Sequence, residues 1–153
     1  MIAVGNPAPD FTISTDTGEK VSLADYRGKK LVLYFYPKAS TPGCTIEAHD
    51  FNRLRQEFSV AGTTVIGISP DPAKALAKFR AKEGLEFPLA GDEAHEMLEA
   101  YGVWEEKSMY GKTYMGVVRT TVLIDSAGHI AEIWPKVKVA GHAEEVLAAA
   151  KAL

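Results

Sequence analysis

The run Leu31-Val32-Leu33-Tyr34-Phe35-Tyr36 is apolar at every position, and Pro37 closes it. A strand with one wet face alternates apolar and polar residues, whereas a strand without alternation is covered on both faces. These residues therefore call for a central strand between two packed layers, which limits the chain to folds built around a sandwiched sheet. The same run is the longest uninterrupted apolar stretch, far short of the roughly 18 or more residues of a membrane span. No segment is expected to cross a bilayer.

With 153 residues, 46% hydrophobic and 24% charged, the chain is expected to form one domain over residues 1–153. Its core needs neither disulfide nor metal as a staple. A formal net charge of −3 and the lack of a Lys/Arg cluster argue against nucleic acid as a partner. Cys44 is the only cysteine, so no internal disulfide can form. The start Met1-Ile2-Ala3-Val4-Gly5-Asn6 has neither a charged n-region nor an apolar h-region, and a cytoplasmic protein is expected. No repeat or low-complexity tract interrupts the chain.

Phe11 to Ser14 and Lys20 to Ser22 flank Asp16-Thr17-Gly18-Glu19, a hairpin turn, and Leu23 to Tyr26 adds one helical turn before Gly28. After the central strand, Ile46, Phe51, Leu54 and Phe58 recur at near-helical spacing, which predicts a helix from about Gly43 to Val60. Thr63 to Ser69 reads as a second buried strand, and Pro72 to Lys82 as a helix with Ala75, Leu76 and Phe79 on one side. A short strand near Phe87 to Leu89 and a helix from Glu93 to Tyr101 follow. Gly102 to Gly116 shows no period and reads as a long loop anchored by Trp104, Tyr110 and Tyr114. Arg119 to Asp125 and Ile130 to Trp134 flank the hairpin signal Asp125-Ser126-Ala127-Gly128, and Ala143 to Leu153 closes the chain as an Ala-rich helix. This order predicts an α/β fold of thioredoxin-like pattern, with a mixed sheet, helices on both faces and an N-terminal β-hairpin extension.

Cys44 falls where the central strand hands over to the first helix. A sulfur in the first turn of a helix faces unpaired backbone N–H groups and the positive end of the dipole, both of which favour thiolate. Dithiol reductases place C-x-x-C at such a point, but the tetrad here is Thr41-Pro42-Gly43-Cys44, with a hydroxyl in place of the first thiol. A single sulfur cannot run an intramolecular disulfide cycle.

Pro37, Thr41 and Cys44 match P-x-x-x-T-x-x-C, and the chain resembles the peroxiredoxins. Tyr34 to Pro37, Thr45 with Glu47, Gly67 to Asp71, Phe87 to Leu89, Tyr101 to Trp104, Lys107 with Met109-Tyr110-Gly111, Gly116 with Arg119, and Lys136 to Val139 with Gly141-His142 extend the likeness. Together they resemble the bacterioferritin comigratory protein or PrxQ branch over essentially the whole chain.

The resemblance implies a thiol-dependent peroxidase acting on hydrogen peroxide and organic hydroperoxides in antioxidant defence, with no cofactor. It implies that Cys44 attacks a peroxide oxygen and becomes sulfenic acid, that Thr41 holds the peroxide through its hydroxyl, that Arg119 stabilises the developing charge and that Pro37 shields the pocket. Glu47, one turn after Cys44, would orient an arginine, and Gly43 belongs to the same supporting layer. Many PrxQ proteins carry a resolving cysteine five residues after the first. His49 stands there instead, so the resolving thiol must come from outside: thioredoxin, or glutaredoxin with glutathione. Residues five apart in an intact helix have Cα atoms roughly 8.6 Å apart, beyond the reach of about 7 Å for a disulfide, so two-cysteine relatives must unwind that helix and this chain need not. A monomer is expected.

A low thiol pKa alone does not explain fast peroxide reduction. Moving a thiol from about 8.5 to about 6 raises its thiolate fraction at pH 7 roughly 30-fold. A Brønsted slope of about 0.45 then removes roughly 13-fold of intrinsic nucleophilicity, so the net gain is only about two- to three-fold. Positioning must carry the rate.

Blander readings stand beside these. Thr41 can be a helix cap, Arg119 a surface ion pair and Glu47 an electrostatic aid to the helix start. His49, His95, His129 and His142 lack metal-ligand spacing and read as solvated; no metal site is expected. A cysteine hydrolase lacks its accompanying signature. The remaining alternative is a non-enzymatic thioredoxin-like binding or chaperone module that has lost redox turnover.

Overall fold

The computed structural model describes residues 2–153. The central run forms β3, Lys30–Phe35, and its alternate side chains go to opposite cores. Val32 and Tyr34 join one apolar cluster, while Leu31, Leu33 and Phe35 join the other. All five are less than 2% exposed, which is why the run contains no polar residue.

Before β3, the N-terminal hairpin pairs β1, Thr12–Ser14, with β2, Lys20–Ser22, and a 3-10 turn covers Leu23–Tyr26. After it come α1, Pro42–Arg53, and α2, Arg55–Val60. Then β4, Thr63–Ser69, α3, Ala73–Glu83, β5, Leu89–Gly91, and α4, Glu96–Ala100, complete the first half. The second half holds β6, Trp104–Met109, β7, Lys112–Val117, β8, Thr120–Ile124, β9, Ile130–Trp134, and α5, His142–Ala152.

The main sheet has the order β5-β4-β3-β8-β9. β4 runs parallel to β3 and β5, whereas β8 is antiparallel to β3 and β9, so the sheet is mixed. Helices cover both faces, but unevenly. Phe51, Phe58, Leu76, Phe79, Val146 and Leu147 of α1, α2, α3 and α5 fill one side. The other side is closed by the N-terminal segment with the short α4, through Phe11, Ile13, Val21, Met97 and Leu98. Lys30 Nζ donates to the Ala150 carbonyl at 2.6 Å, tying the end of α5 to the start of β3.

Three expectations are corrected. The single helix over 43–60 breaks at Leu54, where Arg55 Nη1 donates to the Asn52 carbonyl at 2.8 Å and competes for an acceptor of the ladder. The stretch Gly102 to Gly116 is not a loop but contains the β6–β7 hairpin, with Trp104 opposite Val117 and Met109 opposite Lys112. Both faces of this ribbon are largely wet, so it carries no apolar alternation, and its turn places Tyr110 and Gly111 at positive φ. Trp104 is an anchor, stacked 3.9 Å from His95, but Tyr110 is 98% exposed and Tyr114 44% exposed. Boundaries also shift: the short strand is Leu89–Gly91 rather than Phe87 to Leu89, and α4 starts at Glu96 rather than Glu93.

Candidate active site

Thr41 begins α1 in extended conformation, and Pro42 takes the first helical position, where its missing N–H costs nothing. No side chain caps this helix, which leaves first-turn N–H groups open toward the site. The Thr41 hydroxyl instead donates to the Lys38 carbonyl at 2.7 Å, so its oxygen lone pairs stay available as acceptors. The alternative reading of Thr41 as a side-chain cap is thus not met, although Thr41 holds the cap position.

The phase of α1 differs from the sequence reading. Cys44, Glu47, Ala48 and Phe51 form its buried stripe, at helical spacing, while Ile46 turns outward and is 55% exposed. A carboxylate on a buried stripe needs a cation, and Arg119 supplies it from the residue before β8. The Arg119 backbone is held by its carbonyl, which accepts from Val137 N–H at 2.9 Å. Its side chain reaches the first two turns of α1, where Nη1 donates to Glu47 Oε1 at 2.6 Å and Nη2 donates to Cys44 Sγ at 3.3 Å. A β-carbon at Gly43 would lie 3.4 Å from Nη2, so the glycine gives the guanidinium room to approach.

Thus Gly43, Cys44, Glu47 and Arg119 converge, with Thr41 at the head of the same helix. Pro37 lies half-buried at the end of the strand that leads into it. Cys44 itself is only 1% exposed.

Glu47 is the strained member. Burial pushes its carboxyl up to about 7, although Arg119 pulls the other way. The reason is local: Oε1 is bound by Arg119, while Oε2 is buried without a partner. Burial alone would lower the Arg119 guanidinium, yet Glu47 and Cys44 together hold it above its ordinary value. Beneath the site, Tyr34 stacks on Phe51 at 4.6 Å and on Tyr36 at 5.4 Å, and both phenol hydroxyls are buried without partners. Burial raises both tyrosines far above their ordinary range.

The histidines do not all match the solvated expectation. His142, at the start of α5, is 5% exposed and shares a 2.8 Å hydrogen bond with Thr121. Its ring meets Phe51 and Trp134 edge-on, and burial lowers its pKa. His49, at the position of the absent second cysteine, is exposed and hydrogen-bonds to Glu83 at 2.8 Å.

This geometry has relatives. Residues 4–133 match the AhpC/TSA family. The chain belongs to that family. A peroxiredoxin Bcp of Coxiella burnetii, so named putatively, is 51% identical over 146 residues, covering 95% of this chain and 97% of its own. Peroxiredoxin Q of Xanthomonas campestris superposes with a TM-score of 0.92 at 44% identity, covering 97% of each chain. A structure of the X. campestris bacterioferritin comigratory protein, studied for alkyl peroxide reduction in trapped intermediate and ligand complexes, gives 0.92 at 44% identity and covers 98% of each. The chain is therefore a peroxiredoxin of the Bcp/PrxQ branch with a thioredoxin-like fold, and a thiol-dependent peroxidase rather than a binding module without chemistry. This peroxiredoxin has no helix among its described residues that is long and apolar enough to cross a membrane.

In the sequence Lys107 stands only as part of a motif with Met109-Tyr110-Gly111. The peroxiredoxin fold lays its stem over Gly116, where it feels the charges of Arg119 and Cys44. The signal available in the sequence was the spacing of Lys107 and Gly116, and without the hairpin register it could not be read.

Proposed function

We propose that Cys44 is the peroxidatic nucleophile, and that the 3.3 Å contact from Arg119 Nη2 to its sulfur, with Nη1 anchored on Glu47, is the observation that carries this assignment. The thiolate attacks one oxygen of ROOH and the O–O bond breaks. The departing oxygen leaves as ROH after taking a proton, and sulfur keeps the other as sulfenic acid. Arg119 stabilises charge on sulfur and on the leaving oxygen. Thr41 accepts a hydrogen bond from the peroxide O–H, Pro37 excludes water, Glu47 fixes the guanidinium and Gly43 gives it access.

Hydrogen peroxide and organic hydroperoxides are the substrates, a reading supported for the organic class by the alkyl peroxide reduction studied in the X. campestris relative. The second electron pair comes from an external thiol, either thioredoxin or glutaredoxin with glutathione, since no second sulfur is available for a disulfide within the chain. Residues 1–153 act as one domain, as a monomer, in cytoplasmic antioxidant defence. The test is peroxide consumption with dithiothreitol as reductant, together with trapping of sulfenic acid on Cys44 by a dione reagent. Wild type turns over and is labelled, and Cys44→Ser does neither. Turnover by Cys44→Ser at the wild-type rate sinks the assignment.

A further inference from the structure

Lys107 takes no part in the steps above. On β6 it faces Tyr114 across the hairpin, and its stem crosses diagonally over Gly116. A methyl group at Gly116 would lie 3.3 Å from Lys107 Cδ and 3.5 Å from Cε, so the missing side chain forms a trough in which the stem lies. The ammonium is close enough to Arg119 and Cys44 to feel both charges, and it is half-buried. Among the described residues no carboxylate comes within ion-pair distance of it. Glu105, two positions earlier on the same face of β6, acts on it only from further away. Arg119 differs, because one of its nitrogens is bound to Glu47 and another to Cys44.

Charge balance gives this unpaired cation a role. With Cys44 as thiolate, a full negative charge sits on the sulfur within the field of Arg119 and Lys107. Conversion of Cys44 to neutral sulfenic acid removes that charge, so the surroundings of the sulfur become more positive at the moment when an external thiolate must approach. We infer that Lys107 attracts and positions the incoming thiolate of the reductant, favouring thiols that carry negative charge near sulfur. This rests on the peroxidase reading above.

In the step it serves, RS⁻ attacks Cys44 Sγ, the S–O bond breaks and hydroxide leaves, taking a proton from solvent to become water. A second RS⁻ then splits the mixed disulfide, giving RSSR and returning the Cys44 thiolate. Lys107 stays protonated throughout and acts as a point charge. It is a positioning residue for the second half of the cycle.

The test oxidises the intact protein with hydrogen peroxide and follows loss of sulfenic acid by stopped flow. Three thiols are compared at equal thiolate concentration: 3-mercaptopropionate, 2-mercaptoethanol and cysteamine. Lys107→Gln is expected to slow 3-mercaptopropionate about five-fold, 2-mercaptoethanol less and cysteamine least, and to lose more in this step than in sulfenic acid formation. Lys107→Arg keeps the wild-type order. Gly116→Val, which displaces the stem without removing the charge, reproduces the loss. High salt erases the wild-type preference for the carboxylate thiol. Equal losses with all three thiols, no loss at all, or a larger loss in sulfenic acid formation than in its reduction overturns the role of Lys107. Wild-type protein that forms no sulfenic acid overturns the peroxidase reading itself, and the role of Lys107 with it.

Discussion

Arg119 holds the sulfur and the buried carboxylate with separate nitrogens, so its geometry is set before peroxide arrives. Preorganised donors of this kind are worth about 100-fold or more in rate, whereas thiolate population yields only a few-fold. Arg119→Ala should therefore lower the second-order rate with hydrogen peroxide about 100-fold while changing the thiolate population much less, as read by stopped-flow kinetics beside thiol titration. Equal losses in both would show that the arginine serves only to ionise the sulfur. Glu47 carries a pH dependence of definite sign. Its folded pKa of about 7 lies above its ordinary 4.5, because burial penalises the charge more than Arg119 rewards it. The folded state therefore binds the extra proton between those values, and the stability this contributes is complete below about pH 4.5 and lost as pH rises through 7. Glu47→Gln should flatten that slope in urea unfolding, removing a fall of up to about 3 kcal/mol across the window. A wild-type slope unchanged by the substitution would refute the assignment.

At the scale of elements, the two halves of α1 are held differently: the first by Arg119 through Cys44 and Glu47, the second by contacts with the end of α3. His49 binds Glu83 at 2.8 Å, and Asn52 donates to the Gly84 carbonyl at 3.2 Å while its side-chain oxygen accepts from Glu86 N–H at 2.8 Å. These contacts pin the second half of α1 to the end of α3. The first turn has no side-chain cap, yet it carries a sulfur that is 1% exposed and that an external thiol must reach. Opening is therefore expected in the first turn alone. Hydrogen exchange on the sulfenic acid form should show faster amides at Thr45 to Glu47 and unchanged ones from Asn52 onward, and His49→Ala should extend the fast region toward Arg53. Loss of protection along the whole of wild-type α1 would contradict this. The helix was legible in the sequence but its phase was not, because Ile46 looks like a core residue and Glu47 does not. Only the position of Arg119 makes the buried carboxylate tolerable, and that contact spans 72 residues of sequence. The β6–β7 hairpin was illegible for a different reason: a ribbon wet on both sides has no hydrophobic pattern to read.

Across the whole molecule, sheet and helices meet at one tight contact. Tyr34 on β3 pairs in register with Gly67 on β4, and a β-carbon there would fall 2.8 Å from the phenol ring. The ring in turn carries Phe51 of α1. Gly67→Ala should cost about 1–3 kcal/mol by overpacking and slow peroxide reduction through the displaced helix, measured by urea unfolding and stopped flow. Full stability and full activity together would show that the layer relaxes freely. The apolar run at β3, the turn residues of the hairpins and the motif around Cys44 are local signals, and they alone determined the fold class and the family and pointed to the proposed nucleophile. Tertiary structure decided which cation meets the sulfur, which half of a carboxylate is left unpartnered and which lysine lies over Gly116 without a carboxylate partner. Those depend on side chains brought together from distant strands and helices, and the energy of a charge is set by its neighbours and its burial rather than by its place in the chain.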